Sequence, residues 1–488
     1  MSDTAEPHHL AAELARVVAS LQGRGPGRMV PDLGRITALS AVLGDPQRSY
    51  PTIHLTGTNG KGSTTRMIGS LCAAAGIAAG TYTSPHLQHV RERFAIAGHP
   101  ISARRFVEVY DEVAALADLL DDRAVAEHGT EADRITYFEL LTAMAGWWFA
   151  EAPVDVGVFE VGMGGRWDAT NLVRGEVAVL TPIDLDHPEL GSTPAEIAAE
   201  KVGIIKPGAQ VVTAHQSPEV DAVIDAAVAA QGATRWRAGE AFEVVSRGVA
   251  VGGQSVSFRV GERELDGVLL PLFGAYQADN AALALAAFAA FTGEAFHRMD
   301  DEVLRHGLEA ASVPGRMEIV RRDPTVILDG AHNPHGARAA VAALGESFAF
   351  GEVVLVLGCM ADKDLVAVLG AFRDAVSHVV LTRADTPRAA SLEQLRAAAL
   401  EVWGDTGVVV ESAADVVTAL ALATEVAGPG DGVLVTGSLH LVGAAREVFL
   451  PMSTDLEDPV VRTPEDELDP AEEDGSVDPV ADLLPWPE

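Results

Sequence analysis

Short apolar segments of strand length alternate with segments of helical spacing along most of this chain. The clearest apolar segments are residues 53–55, 78–82, 154–160, 177–180, 325–328, 353–357, 379–382, 408–410 and 433–435. Helical segments lie between them; one begins with Thr193 as N-cap and Pro194 at the first helical position. This alternation predicts mostly parallel sheets with helices on both faces, so the predicted fold class is α/β.

The alternation is interrupted once in the middle of the chain. Residues 236–270 contain short alternating stretches such as 256–260, which predict a small antiparallel section. An Ala-rich helix is predicted at 277–291, and a second α/β series begins after a turn that follows it. We therefore predict an N-terminal domain at residues 1–312 and a C-terminal domain at residues 313–450.

The last part of the chain has a different composition. Residues 451–488 hold thirteen acidic residues, one basic residue and seven prolines, which accounts for −12 of the formal net charge of −35. Such a composition predicts a disordered, solvated tail, with an acidic interaction tail as the alternative. The overall negative charge disfavours nucleic-acid binding, which requires a basic surface. It leaves small anionic substrates open, because a site needs only local positive charge.

Cysteine usage and hydropathy limit the cellular setting. The two cysteines, Cys72 and Cys359, lie far apart without metal-ligand spacing, which suits a reducing compartment. The first residues lack the basic and apolar regions of a signal peptide, and no run of about 18 apolar residues occurs. We expect a cytoplasmic protein without a membrane partner.

A glycine-rich stretch, TGTNGKGST at residues 56–64, is the strongest local signal. It follows an apolar strand and precedes a helical pattern, the context in which backbone N–H groups and a helix dipole bind phosphate. Lys61 would add a positive charge near the outer phosphates, and Ser63 or Thr64 a hydroxyl for Mg²⁺. The strict G-x-x-x-x-G-K-[ST] pattern is not met, since it needs Gly at Leu55 and Ser or Thr at Gly62. An ordinary tight turn is the alternative.

Three further stretches follow predicted strands. Glu160 ends a strand and precedes GMGGRWDATN, so its carboxylate suits Mg²⁺ held with nucleotide phosphates; a turn with a surface ion pair is the alternative. His187, in DLDH, could bind a metal, and Lys201 follows it by fourteen residues. A hydrogen-bonded loop histidine and a lysine at a helix C-terminus are the simpler interpretations. Asp329, in DGAHNPHG, could contact ribose or an amine, or form an Asx turn.

Taken in order, these motifs resemble the folylpolyglutamate synthase family of the Mur ligase superfamily, including its bifunctional dihydrofolate synthase members. The resemblance extends from about Ser49 to Arg446. The motifs that carry it are HLTGTNGKGST, TSPHL, TYFE, FEVGMGGRWDATN, DLDH, EKVGIIK, PGRME and DGAHNPHG. It implies a P-loop-type N-terminal domain that binds ATP and a Rossmann-like C-terminal domain that presents L-glutamate. We expect the enzyme to be a monomer.

The resemblance also implies a reaction and its site residues. ATP and Mg²⁺ would convert the carboxylate of dihydropteroate or a tetrahydrofolate derivative into an acyl phosphate, which the amine of glutamate attacks. The implied catalytic residues are Lys61, His187 and Lys201. The implied nucleotide contacts are Asn59, Gly60, Lys61, Gly62, Ser63, Asn280, Arg316 and Asp329. The implied metal ligands are Ser84, Glu160, His187 and Lys201, with Lys201 carbamylated. The implied substrate contacts are Thr136, Tyr137, Phe138, Glu139, Trp167, Asp168, Ala169 and His332, with Ser438 beside the glutamate.

Two departures and two alternatives accompany this interpretation. Trp167 stands where leucine is common in the family, and the interval from His187 to Lys201 is one residue shorter than usual. A P-loop kinase or NTPase without ligation would need only the glycine loop. A cell-wall Mur ligase is the other alternative, but the TYFE and GGRWDATN stretches favour folate.

Overall fold

The computed structural model describes residues 5–25, 31–128, 134–152, 154–185 and 188–452. The helices of the N-terminal half are α1 Ala5–Gly23, α2 Gly34–Val42, α3 Lys61–Ala74, α4 Ala103–His128, α5 Tyr137–Glu151, α6 Pro194–Lys201, α7 Pro218–Gln231, α8 Ala275–Thr292, α9 Glu294–Arg298 and α10 Asp301–Glu309. Those that follow are α11 Pro334–Ser347, α12 Leu365–Gly370, α13 Leu392–Trp403, α14 Val416–Val426 and α15 Leu439–Phe449.

The strands form three separate sheets. Those of the first sheet are β1 Thr52–Thr56, β2 Ala79–Tyr82, β3 Phe94–Ile96, β4 His99–Pro100, β5 Val156–Glu160, β6 Val177–Leu180, β7 Gln210–Thr213 and β8 Thr234–Arg237. Those of the second are β9 Phe242–Ala250, β10 Gly253–Val260 and β11 Arg263–Leu270. Those of the third are β12 Glu318–Arg322, β13 Thr325–Leu328, β14 Val353–Leu357, β15 His378–Leu381, β16 Val409–Ser412 and β17 Gly432–Thr436.

The first sheet has the order β4-β3-β2-β5-β1-β6-β7-β8 and is parallel except for β3 and β4. Strand β1 pairs with β5 on one side and β6 on the other, so its end lies in the middle of the sheet. One face packs against α3, α8 and the antiparallel second sheet, and the other against α1, α2, α4 and α5. The carboxyl ends of β1, β2 and β5 therefore meet at one edge, where ligands bind in open α/β sheets.

The third sheet has the order β12-β13-β17-β14-β15-β16. All its pairings are parallel except that of β12 with β13. Helices α11–α13 cover one face, and α14 and α15 cover the other. The mixed α/β class with a small antiparallel section is thus confirmed. Strand β12 is an addition, because its sequence EIVRR is too polar to stand out as an apolar segment.

Two of the sequence predictions, the domain boundaries and the nature of the tail, are not tested by the structure. The domain boundaries near residues 312 and 450 stay predictions. The tail beyond residue 452 lies outside the described residues. Within the described parts of the chain, no helix combines the length and the apolar character that a membrane crossing requires.

Candidate active site

The loop between β1 and α3 contains two glycines at positions where a residue with a side chain would not fit. Gly57 has φ +148°, and a Cβ there would lie 1.8 Å from Oγ1 of Thr181. Gly60 has φ +90°, and a Cβ there would lie 2.5 Å from Oδ1 of Asn280. Lys61 begins α3, so the loop ends at the positive end of a helix. Strand, glycine loop and helix thus form the arrangement that binds phosphate.

A buried carboxylate lies directly beside this loop. Glu160 ends β5 and is 3% exposed, and its Oε2 accepts a hydrogen bond of 3.0 Å from the backbone N–H of Ser84. A Cβ on Gly62 would lie 3.3 Å from the same oxygen. Burial raises the pKa of Glu160, and the charge of Lys61 opposes that shift. A carboxylate of this kind gains stability when a cation binds next to it.

Two lysines converge on the glycine loop from different elements. Lys61 Nζ donates to the carbonyl oxygens of Gly57 at 2.9 Å and Thr58 at 3.2 Å. Lys201, at the end of α6, is 1% exposed and donates to the same Gly57 oxygen at 2.8 Å. These bonds hold positive charge beside the loop, where it can stabilise a bound phosphate. His187, predicted as a metal ligand, lies outside the described residues.

The opposite wall comes from the third sheet, while Asn280 of α8 lies beside the glycine loop. Asn280 is buried and its Nδ2 donates to Gln277 at 3.0 Å. Asp329 follows β13 and accepts from the N–H groups of Met317 and Ala331 at 3.0 and 2.9 Å, so its carboxylate forms a turn. Burial raises its pKa, and Arg316 opposes the shift. His332 Nδ1 lies 2.9 Å from the carbonyl oxygen of Gly330.

A cavity of about 340 Å³ separates the two walls. Its lining includes His332, a predicted substrate residue, and most of the predicted nucleotide and metal residues: Asn59, Gly60, Lys61, Gly62, Ser63, Ser84, Glu160, Lys201, Asn280, Arg316 and Asp329. Ser438 is buried as the N-cap of α15 and does not line it. Also outside its walls are the other predicted substrate residues, Thr136, Tyr137, Phe138, Glu139, Trp167, Asp168 and Ala169.

The stretch at 136–139 lies next to the cavity and is largely occupied by its own contacts. Thr136 caps α5 by accepting from the N–H of Glu139, and Glu139 accepts from the N–H of Thr136 at 2.8 Å. Glu139 also pairs with Arg35 Nε at 3.1 Å. Phe138 reaches the cavity wall, since a Cβ on Gly162 would lie 2.6 Å from its ring. The polar groups of Thr136 and Glu139 are therefore engaged within the protein, whereas the ring of Phe138 lies against Gly162 of the cavity wall.

The stretch at 167–169 also combines a polar side chain that is hydrogen-bonded within the protein with an aromatic side chain that is not buried. Asp168 is buried and accepts from the N–H of Met163 at 3.0 Å and from the hydroxyl of Thr170 at 2.5 Å. These bonds hold the loop after β5 in shape. Trp167 is 46% exposed, which leaves a large apolar surface beside this loop. Ala169 is buried against the α5 side of the sheet.

Two side chains that sequence reasoning missed also line the cavity. Tyr276, near the start of α8, lies within electrostatic range of Asp329 and Arg316. Arg66 lies one turn after Gly62 on α3, within electrostatic range of Glu92 and Glu160.

A magnesium ion fits this donor set. Among the described residues, no cluster of three or more His, Cys, Asp or Glu side chains forms a cage for a metal. Mg²⁺ needs no such cage, because it takes one or two carboxylates together with nucleotide phosphates and water. Glu160 supplies a buried carboxylate beside the glycine loop, and Ser84 adjoins it.

Comparison with protein families defines the class. The Mur ligase middle domain matches residues 55–288, and the Mur ligase glutamate ligase domain matches residues 315–439. The first match contains the glycine loop, Glu160 and Lys201, and the second contains Arg316, Asp329 and His332. The two walls of the cavity therefore correspond to the two domains of a Mur ligase.

Individual relatives show which kind of Mur ligase this chain resembles. The dihydrofolate synthase/folylpolyglutamate synthase of Mycobacterium tuberculosis is 43% identical over 458 residues, covering 90% of this chain and 94% of that protein. The solved Mycobacterium tuberculosis folylpolyglutamate synthase complexed with ADP matches with 41% identity and a TM-score of 0.83, covering 90% and 99%. An FPGS–AMPPCP–folate complex matches with 32% identity and a TM-score of 0.73, also covering 90% and 99%. This chain belongs to the dihydrofolate synthase/folylpolyglutamate synthase family.

Proposed function

We propose that this protein is an ATP-dependent ligase that joins L-glutamate to dihydropteroate and to reduced folates. The observation that carries the proposal is the cavity between the two walls. One wall has a phosphate-binding loop, two lysines and a buried carboxylate, and the other has Arg316, Asp329 and His332. The names of the relatives support this function, and the ADP and AMPPCP complexes support ATP as the nucleotide.

The chemistry proceeds in two steps. A carboxylate oxygen of the acceptor attacks the γ-phosphorus of ATP, and the bond to ADP breaks. The amine nitrogen of glutamate then attacks the acyl carbon, phosphate leaves, and the nitrogen loses a proton as the amide forms. Phosphorylation is needed because a carboxylate is a poor electrophile without a leaving group.

The residues of the glycine-loop wall serve the first step. The N–H groups at the start of α3 and the charge of Lys61 stabilise negative charge on the transferring phosphoryl group. Mg²⁺, held by Glu160 and Ser84, would neutralise charge on the phosphate oxygens when bound. Lys201 holds the Gly57 carbonyl and so fixes the loop; its carbamylation and the metal role of His187 stay predictions.

His332 of the opposite wall serves the second step. Nδ1 of His332 lies against a carbonyl oxygen, so Nδ1 carries the proton and Nε2 is the basic nitrogen. We assign His332 to the glutamate side; Ser438, which caps α15 and does not line the cavity, stays a prediction. Asn280, Arg316 and Asp329 are assigned to the nucleotide. Closure of the two walls would keep water from the acyl phosphate.

The test is ADP release by the purified protein with ATP, Mg²⁺ and glutamate, with dihydropteroate or tetrahydrofolate as acceptor. We expect release with each acceptor and none when glutamate is omitted. Release without glutamate would indicate a kinase or NTPase, and release only with a cell-wall precursor would indicate another Mur ligase. A monomeric state and a cytoplasmic location stay predictions.

A further inference from the structure

A second cavity opens beside the first one on the outer side of α3. It has a volume of about 1330 Å³ and shares Arg66, Glu92 and Pro314 with the walls of the reaction cavity. We call it the arginine groove. It is bounded by α3, the β3–β4 hairpin, the start of α4, α10 and the end of α15.

The arginine groove is basic although the chain carries a net charge of −35. Four arginines line it, Arg66, Arg91, Arg104 and Arg446, together with two histidines, His99 and His306. Among the described residues that line it, Glu92 supplies the carboxylate, which accepts from the N–H groups of Leu87, Gln88 and His89. That carboxylate therefore serves its own loop, and the groove keeps an excess of positive charge.

The arginines differ in what they already contact. Arg446 is paired with Glu318 at 3.0 Å, which reduces its attraction for a ligand. Arg91 is buried and donates to the carbonyl oxygen of Ile101 at 3.0 Å. Arg66 makes no hydrogen bond or ion pair with the described residues; it lies at the junction of the two cavities, within electrostatic range of Glu92 and Glu160. An anionic group that reached this junction would meet a guanidinium able to bind it through two N–H groups.

The proposed reaction creates a ligand with the matching chemistry. Each added γ-linked glutamate leaves one free α-carboxylate and moves the reactive γ-carboxylate further from the pterin. One pterin position cannot present both dihydropteroate and a long chain to the same phosphoryl group. A longer substrate therefore needs a second path that begins at the reaction cavity and favours negative charge.

We propose that the arginine groove binds the α-carboxylates of the poly-γ-glutamyl chain of folate substrates. This rests on the proposed function, which supplies the chain. The groove meets both requirements, since it joins the reaction cavity at Arg66 and carries further cationic side chains away from it. Dihydropteroate has no glutamate and does not use the groove.

The experiment uses the full-length chain and two measurements. Calorimetry measures binding of tri-γ-glutamate, a peptide without a pterin, and initial rates give KM for dihydropteroate and for tetrahydrofolate triglutamate. Arg104→Gln is the main variant, because Arg104 lines the groove and not the reaction cavity. Arg298→Gln, at an exposed arginine of α9, is the matched control.

We expect the peptide to bind the unmodified protein and to bind Arg104→Gln about tenfold more weakly, as loss of one charge-assisted contact implies. The KM for the triglutamate should rise by a similar factor, with KM for dihydropteroate unchanged and no effect of the control. If Arg104→Gln does not fold, Arg66→Gln is measured by calorimetry alone. Since calorimetry needs no turnover, a failed ligase assay would leave this test intact.

Two outcomes would overturn the proposal. One is that tri-γ-glutamate does not bind the unmodified protein. The other is that Arg104→Gln raises KM equally for both acceptors.

Discussion

Two groups of motif residues lie close together and use their polar atoms differently. Around the glycine loop, the charged groups of Lys61 and Glu160 line the reaction cavity, with few bonds to the rest of the protein. At 136–139 and 167–169, the carboxylates of Glu139 and Asp168 are used for capping and for holding a loop. The charged groups of the first group remain available to a ligand, whereas the carboxylates of the second group are engaged in hydrogen bonds that stabilise the fold. Substitutions should therefore separate activity from stability.

Lys61→Ala should have the largest effect. Loss of this positive charge removes transition-state stabilisation, and we expect turnover to fall by about 10³-fold. The free energy of unfolding should change little, because within the described part of the chain Lys61 bonds only to carbonyl groups of its own loop. ADP release and urea denaturation measure the two quantities. A folded variant with full activity would falsify the phosphate role.

Glu160→Gln should lower turnover by about 10²-fold and raise the Mg²⁺ concentration needed for half-maximal rate. Stability should hold or increase, because the pKa of Glu160 is raised by burial, which means that the charged form is disfavoured in the folded state. A neutral Gln carries no charge to be buried. For the unmodified protein, the Glu160 charge is absent at low pH, and its destabilising effect is complete once the pH has risen through the raised pKa. A Mg²⁺ titration unchanged from the unmodified protein would contradict the metal role.

Much of the first group was predictable because parallel strands place their ends at one edge. Glu160 could be assigned to that edge from an apolar run that ends in a carboxylate. Asp329 follows the same rule in the third sheet. Arg66 was missed because a single arginine within a helix has no sequence signature, and only the fold shows that it reaches two cavities.

The second group illustrates a different limit. Thr136 and Glu139 have the spacing of a capping box, which is readable from sequence and predicts a helix start. The family resemblance assigns the same residues to substrate. Sequence alone could not decide how much of each role they carry, because that depends on Arg35, a residue about a hundred positions away that pairs with Glu139.

Asp168→Ala tests the folding role of the second group. The substitution leaves the N–H groups of Met163 and Thr170 without their side-chain acceptor in this loop. Orphaned buried donors cost about 2–3 kcal/mol, so the free energy of unfolding should fall by that amount. Chemical denaturation measures it, and Arg166→Ala, an exposed neighbour in the same loop, is the control. An unchanged midpoint would show that the loop does not depend on Asp168.

Thr136→Ala should have the smallest effect, about 1 kcal/mol, because it removes one N-cap. Its hydroxyl accepts from the N–H of Glu139, and the Glu139 carboxylate keeps both the N–H of residue 136 and Arg35 after the change. Turnover measured well below the melting temperature should stay within about twofold, since the ring of Phe138 remains against Gly162. Thr136→Ser is the matched control, because serine retains the cap. If both variants lost activity equally with unchanged stability, the methyl group of Thr136 would contact the substrate, and the division between the two groups would not hold at this position.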